Sequence, residues 1–153
     1  MHKRRTFLQT TLSILAVSLF LSWGAGTQAQ AQEKSLYDRL GGYNAIAAVV
    51  DDFIGRLVVD KRLGKFFTGA SDDTKKKIRQ HVVDQLCAAA GGPCAYTGRD
   101  MKTSHHGLGI TDADWNAAAK HLVESLDKFK VGEREKNDLL AFVTSLKKDI
   151  VDK

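Results

Sequence analysis

The sequence predicts an all-α domain, and three observations predict it. Apolar residues recur at i, i+3, i+4 and i+7 through most of the chain after residue 35. Gly41-Gly42 and Gly91-Gly92-Pro93 cut that pattern into segments of helix length. No alternating β-run, internal repeat or low-complexity stretch competes with it.

Each element follows from local chemistry. Ser35-Leu36-Tyr37-Asp38 reads as a capping box that opens one short helical turn, stopped by Gly41-Gly42. Asn44 is expected to cap a second helix whose stripe is Ile46, Val49, Val50, Phe53, Ile54 and Leu57. That helix ends near Asp60, and Leu63, Phe66 and Phe67 follow in a corner. A third helix, capped between Ser71 and Asp73, carries Ile78, Val82, Leu86 and Ala89 on one side. After the Gly-Gly-Pro break comes a short basic segment ending in His105-His106. Thr111, with Asp114 completing its box, caps a long helix striped by Trp115, Ala118, Ala119, Leu122, Leu126 and Phe129. Gly132 separates this from a last helix bearing Leu139, Val143, Leu146 and Ile150. Periodicity alone is equally compatible with a plain four-helix bundle.

The first 31 residues read differently. Lys3, Arg4 and Arg5 precede an uncharged apolar run, Leu12 to Trp23, and Ala29-Gln30-Ala31 supplies a small-x-small cleavage site. The apolar run is too short to span a bilayer, so we expect a cleaved signal peptide over 1–31 and no stable membrane anchor afterwards. Arg4-Arg5-Thr6-Phe7-Leu8 resembles a twin-arginine signal, with ordinary Sec export as the alternative. The expected destination is the bacterial periplasm. Cleavage after Ala31 leaves 122 of the 153 residues, residues 32–153, enough for one domain. It removes three cations and no acid, which takes the net charge from +5 to +2. The basic balance is therefore no argument for nucleic-acid binding, and Lys75-Lys76-Lys77 reads as a solvated helix face. Cys87 and Cys94 remain; an oxidising compartment and the intervening turn residues favour a disulfide over two buried free thiols.

The segment Gly91 to Ile110, GGPCAYTGRDMKTSHHGLGI, carries the chemistry. A histidine on a one-to-two-turn helix, framed by glycines and one turn after a methionine, suits an axial ligand to haem iron. Met101 and His105 are four apart and share a face, whereas His106 lies about 100° round from His105. On the residues alone both histidines compete for that role.

Tyr96 to Ile110 resembles the hinge and proximal-histidine region of the group 1 truncated haemoglobins: Tyr-Thr-Gly, Met-Lys, two variable residues, His, then Gly-x-Gly-Ile. The resemblance runs from about Ser35 to Ile150. It implies the truncated globin fold, a two-over-two helical sandwich around haem b, and it places the iron ligand on His105. It puts His81 at the position where several cyanobacterial and algal relatives carry a distal histidine able to bind iron; the plain reading of His81 is a core-edge histidine. Phe67 resembles the ring that wedges the haem, with Phe53 as a second wall and Met101 packed against the porphyrin. Arg99 and Lys102 suit haem propionates, with surface solvation as the alternative. Tyr96 matches the hinge tyrosine and is expected to brace that loop. His121 is expected to face solvent.

The departures from the family pattern bear on function. Ile54 stands where many members carry a tyrosine that donates to bound oxygen, and Ile78 and Val82 replace distal glutamines. His81 is the polar group left, with Gln85 deeper. The last helix has no histidine for a covalent haem link. The leading expectation is a haem-b protein that reversibly binds O2 or NO, with CO as a probe ligand, at a His-ligated and in one form bis-histidyl iron. A haem-based NO dioxygenase, peroxidase or electron-transfer role, served by an unknown reductant, is the second reading. A haem-free helical interaction module is the third.

Overall fold

The computed structural model describes residues 33–152, so the expected export segment lies outside the described residues. Helix α1 (Leu36–Arg39) opens at Ser35, whose Oγ accepts from the Asp38 N–H at 3.1 Å. The chain then reverses through Gly41 at φ 93°, and α2 (Gly42–Val59) starts at once. Asn44 therefore lies inside the first turn of α2 and does not cap it. Ile46, Val49, Val50 and Leu57 of the expected stripe are buried, while Phe53 and Ile54 are only half-buried. A 3-10 turn (Gly64–Phe67) carries Phe66 and Phe67, both half-buried.

Helix α3 (Asp72–Ala89) is capped by Ser71, which accepts from the Thr74 N–H. Its core face is Val83, Leu86, Cys87 and Ala90, at i, i+3, i+4 and i+7. At about 100° per residue, Ile78, His81, Val82 and Gln85 fall on a different face, and all four are half-buried. Ala89, expected on the core stripe, is exposed for the same reason. The helix ends in a Schellman motif, with Gly91 (φ 82°) bonding the Ala88 carbonyl and Gly92 the Cys87 carbonyl.

Helix α4 (Met101–His105) is short, and α5 (Asp112–Lys128) begins with the expected box between Thr111 and Asp114. Asp114 is buried, and the two hydrogen bonds from Thr111 hold its carboxyl below the usual carboxylate range. The last helix divides at Leu146 into α6 (Glu133–Ser145) and α7 (Lys147–Ile150). Ser145 Oγ donates back to the Phe142 carbonyl at 2.6 Å, a local bond that competes with continuing the helix.

Helix α2 is central, packed on α3 and on α5; α1 meets α2 and α6, and α4 meets α7. Val50, Val83, Cys87 and Leu126 are fully buried where these helices join. Each such aliphatic side chain contributes about 1.5–3 kcal/mol through burial. An apolar cavity of about 110 Å³ remains, lined by Ile46, Val49, Leu86, Leu126 and Leu139, with Phe129 also on its wall. Phe129, expected on the α5 stripe, is 41% exposed at the helix end.

Polar clamps tie α5 to α2. Asp52 accepts from Arg56 at 2.6 Å and Ser125 at 2.8 Å and pairs with Lys128, which holds its carboxyl far below the usual range. His121 does not face solvent freely. It is about one-fifth exposed and sits between Asp60, 2.9 Å from Nε2, and Glu124, 3.3 Å from Nδ1. The His121 bond, with backbone N–H groups of Leu63 and Arg62, lowers the Asp60 carboxyl from 3.8 to about 2. A depressed carboxylate favours the folded state above its unfolded value, and that contribution disappears as pH falls through the folded one. Stability should therefore fall between pH 3.8 and about 2, and Asp60→Asn should flatten part of that slope. Urea midpoints measured across this interval test it; an identical slope in Asp60→Asn refutes the assignment.

Candidate functional site

The site is built from the end of α3, the hinge 91–100 and α4. Cys87 on α3 and Cys94 in the hinge form a disulfide with Cα atoms 5.8 Å apart. Two residues on, the Tyr96 hydroxyl donates to the Arg99 carbonyl at 2.5 Å. Burial raises the Tyr96 hydroxyl above the ordinary phenol value, so it stays a donor. Ser104 Oγ donates to the same carbonyl at 3.2 Å. Asp100 then caps α4, accepting from the Thr103 N–H at 2.8 Å and from its hydroxyl at 2.7 Å.

These contacts present His105 in a defined state. Its Nδ1 lies 2.8 Å from the Met101 carbonyl oxygen. A carbonyl only accepts, so in the neutral imidazole Nδ1 carries the proton and Nε2 keeps a free lone pair. His105 and Met101 are half-buried, whereas His106 leaves the helix at ψ 128° and is exposed. The ambiguity between adjacent histidines is thus one of geometry: only His105 combines partial burial with a held tautomer.

His81 lies on the second face of α3. Its Nδ1 is buried without a partner, and its ring meets the Tyr96 ring edge-on, centroids 6.0 Å apart at 76°. Among the described residues, the structure thus links His81 to Tyr96 and, through the Arg99 carbonyl, to Ser104 beside His105. Phe53 and Phe67 are half-buried on α2 and the 3-10 turn; the Lys65 ammonium sits 4.7 Å over the neighbouring Phe66 ring. Arg99 and Lys102 are exposed, and it is the Arg99 carbonyl that the hinge uses. Sequence reasoning missed Ser104 and Asp100, although Asp-x-x-Thr before a short helix is a readable cap signal.

Among the described residues no group of three or more His, Cys, Asp or Glu side chains is placed to hold a metal ion. A lone imidazole with an open Nε2 suits a metal that brings its own equatorial donors, as haem does. The half-buried face of Ile78, His81 and Val82 and the half-buried phenylalanines offer the apolar surface a flat macrocycle covers. The residues present fit the group.

Residues 35–152 match the family model described as bacterial-like globin. The group 1 truncated hemoglobin GlbN of Mycolicibacterium paratuberculosis is 35% identical over 121 residues, covering 79% of this chain and 87% of that one. This chain is a bacterial-like globin of the group 1 truncated haemoglobin type. Solved truncated haemoglobins share its fold. That of Tetrahymena pyriformis in the Fe(III) form superposes with a TM-score of 0.72 at 26% identity, covering 78% of this chain and all of that one. The 2/2 hemoglobin of a Synechococcus species, in the cyanomet state with covalently attached heme, gives 0.70 at 29% over the same shares. The architecture is accordingly the two-over-two helical fold, and haem with its iron is the cofactor of this family.

Proposed function

We propose that this truncated haemoglobin is a haem-b protein that reversibly binds a diatomic gas, O2 or NO, with His105 as its proximal ligand and His81 as a competing distal one. The observation that carries the reading is the bond from His105 Nδ1 to the Met101 carbonyl, which leaves Nε2 free to donate. When bound, haem supplies the iron that coordinates the gas. His105 would hold that iron through its Nε2. Phe53, Phe67 and Met101 would exclude water from the apolar faces of the haem, and Arg99 and Lys102, exposed at the surface, would meet the propionates. Tyr96 braces the hinge.

His81 is favoured as a distal ligand by its unpartnered buried nitrogen. Ile54, Ile78 and Val82 offer no donor, and Gln85 is the one remaining amide there. With His81 as a ligand, it would have to vacate before a gas binds, and apparent affinity would fall by the open fraction. Ligand binding is the proposed role, and any NO dioxygenation, peroxidation or electron transfer would draw on an external reductant. Export to the periplasm is supported by the Cys87–Cys94 disulfide, which persists in oxidising compartments.

Absorption spectra of the holo-protein test this directly. Wild type is expected to be six-coordinate and low-spin in both oxidation states. His81→Leu is expected to give a five-coordinate ferrous form that binds carbon monoxide faster by about 10–100-fold, for an open fraction of about 1–10%. A five-coordinate wild type that this substitution leaves unchanged would reduce His81 to a pocket-edge residue, with Gln85 the next group to examine.

A further inference from the structure

A histidine that ligates a metal ordinarily has its other ring nitrogen held by a carbonyl or carboxylate, which fixes the ring plane. His105 has such a partner in the Met101 carbonyl. His81 has none: its Nδ1 is buried and unbonded. What borders the His81 ring is the Tyr96 ring, edge-on at 6.0 Å and 76°. That ring is itself fixed on both sides. Its hydroxyl is bonded to the Arg99 carbonyl, which also receives Ser104 Oγ. Two residues before it, Cys94 is bonded to Cys87, six positions after His81 on the same helix.

We propose that Tyr96 is the positioning residue of His81. Its ring, in T-shaped contact with the imidazole, takes the place of the absent hydrogen bond and sets the imidazole plane in which His81 engages iron. Because Tyr96 is anchored at the cap of α4, the same contact ties the distal histidine to the segment that carries the proximal one. The proposal rests on the reading of His81 as an axial ligand.

The test uses ferric holo-protein and carbon monoxide association, with wild type, Tyr96→Phe, Tyr96→Leu and Tyr96→Trp compared. The low-spin g values depend on the relative rotation of the two axial imidazole planes, so they read His81 orientation and not stability. Tyr96→Phe keeps the ring and should keep both the g values and the association rate. Tyr96→Leu removes the edge contact and should shift the g values and raise the open fraction by about 2–10-fold, the range of one aromatic pair. Tyr96→Trp retains aromatic filling while displacing the edge, and should shift the g values without leaving a cavity. Equal, non-zero shifts in Phe and Leu would assign the role to the hydroxyl and its hinge bond, overturning ring positioning. Unchanged g values in both Leu and Trp overturn it as well. A wild type that is five-coordinate and insensitive to His81→Leu removes the distal-ligand reading and this proposal together; a low-spin wild type with inert Tyr96 variants removes the proposal alone.

Discussion

His105→Ala is expected to abolish stable haem retention, while His106→Ala leaves it intact. The two histidines are adjacent and chemically identical, so the difference must come from backbone placement. His105 ends α4 with Nδ1 on the Met101 carbonyl and its body half-buried; His106 has left the helix and is exposed. Losing an outer-shell partner of a metal ligand costs about 10–100-fold in affinity. Losing the ligand itself should exceed the upper end of that range. Haem transfer to an excess of a competing apo-globin measures it, with the Soret band of each variant as the parallel readout. His105→Ala protein that retains haem with the wild-type spectrum would overturn the assignment, and loss of haem in His106→Ala alone would reverse it. Met101 holds the tautomer through its carbonyl and leucine keeps an apolar side chain of similar size, so Met101→Leu should preserve the tautomer and change retention little.

Much of this site is legible in the amino-acid sequence. The glycines around a Met-Lys-x-x-His run mark the short helix, and the capping residues of α3 and α5 stand where their sequences put them. Periodicity errs where two buried faces share one helix. On α3 a single stripe through Ile78, Val82, Leu86 and Ala89 merges the core face with the one bearing His81. A sequence window cannot separate them, because Ile78 and Val82 on the second face are as apolar as Leu86 on the first. Asn44 misleads for a simpler reason: Gly41 reverses the chain so tightly that the helix starts first. His121 reads as solvated because its partner Asp60 is 61 positions away, and only the packing of α5 on the end of α2 brings them together. The contact between His81 and Tyr96 is of the same kind, a meeting of a helix and a loop that no local pattern encodes.

The second large effect concerns the disulfide. Removing it in Cys87→Ala/Cys94→Ala is expected to lower stability by about 2–3 kcal/mol, the chain-entropy value for so short a loop. The two cysteines are seven positions apart, and Cys87 is fully buried in the core cluster that also holds Val50, Val83 and Leu86. Alanine is the right replacement, since a serine there would bury an unpaired hydroxyl and add its own cost. Urea unfolding of the double variant, compared with wild type under oxidising and reducing conditions, separates the cross-link from the side chains. Reduced wild type and the double variant should fall to nearly the same midpoint if the bond is what matters. The site should feel the loss too. Cys94 stands two residues before Tyr96, so freeing it loosens the hinge that carries the ring bordering His81 and leads into the cap of α4. Haem should therefore dissociate faster from the double variant, though far less than from His105→Ala, because the ligand and its tautomer remain. Alkylation of the unreduced, denatured protein provides the direct check: two labelled thiols in exported material would mean that the bond does not form there, and the double variant should then unfold with wild type.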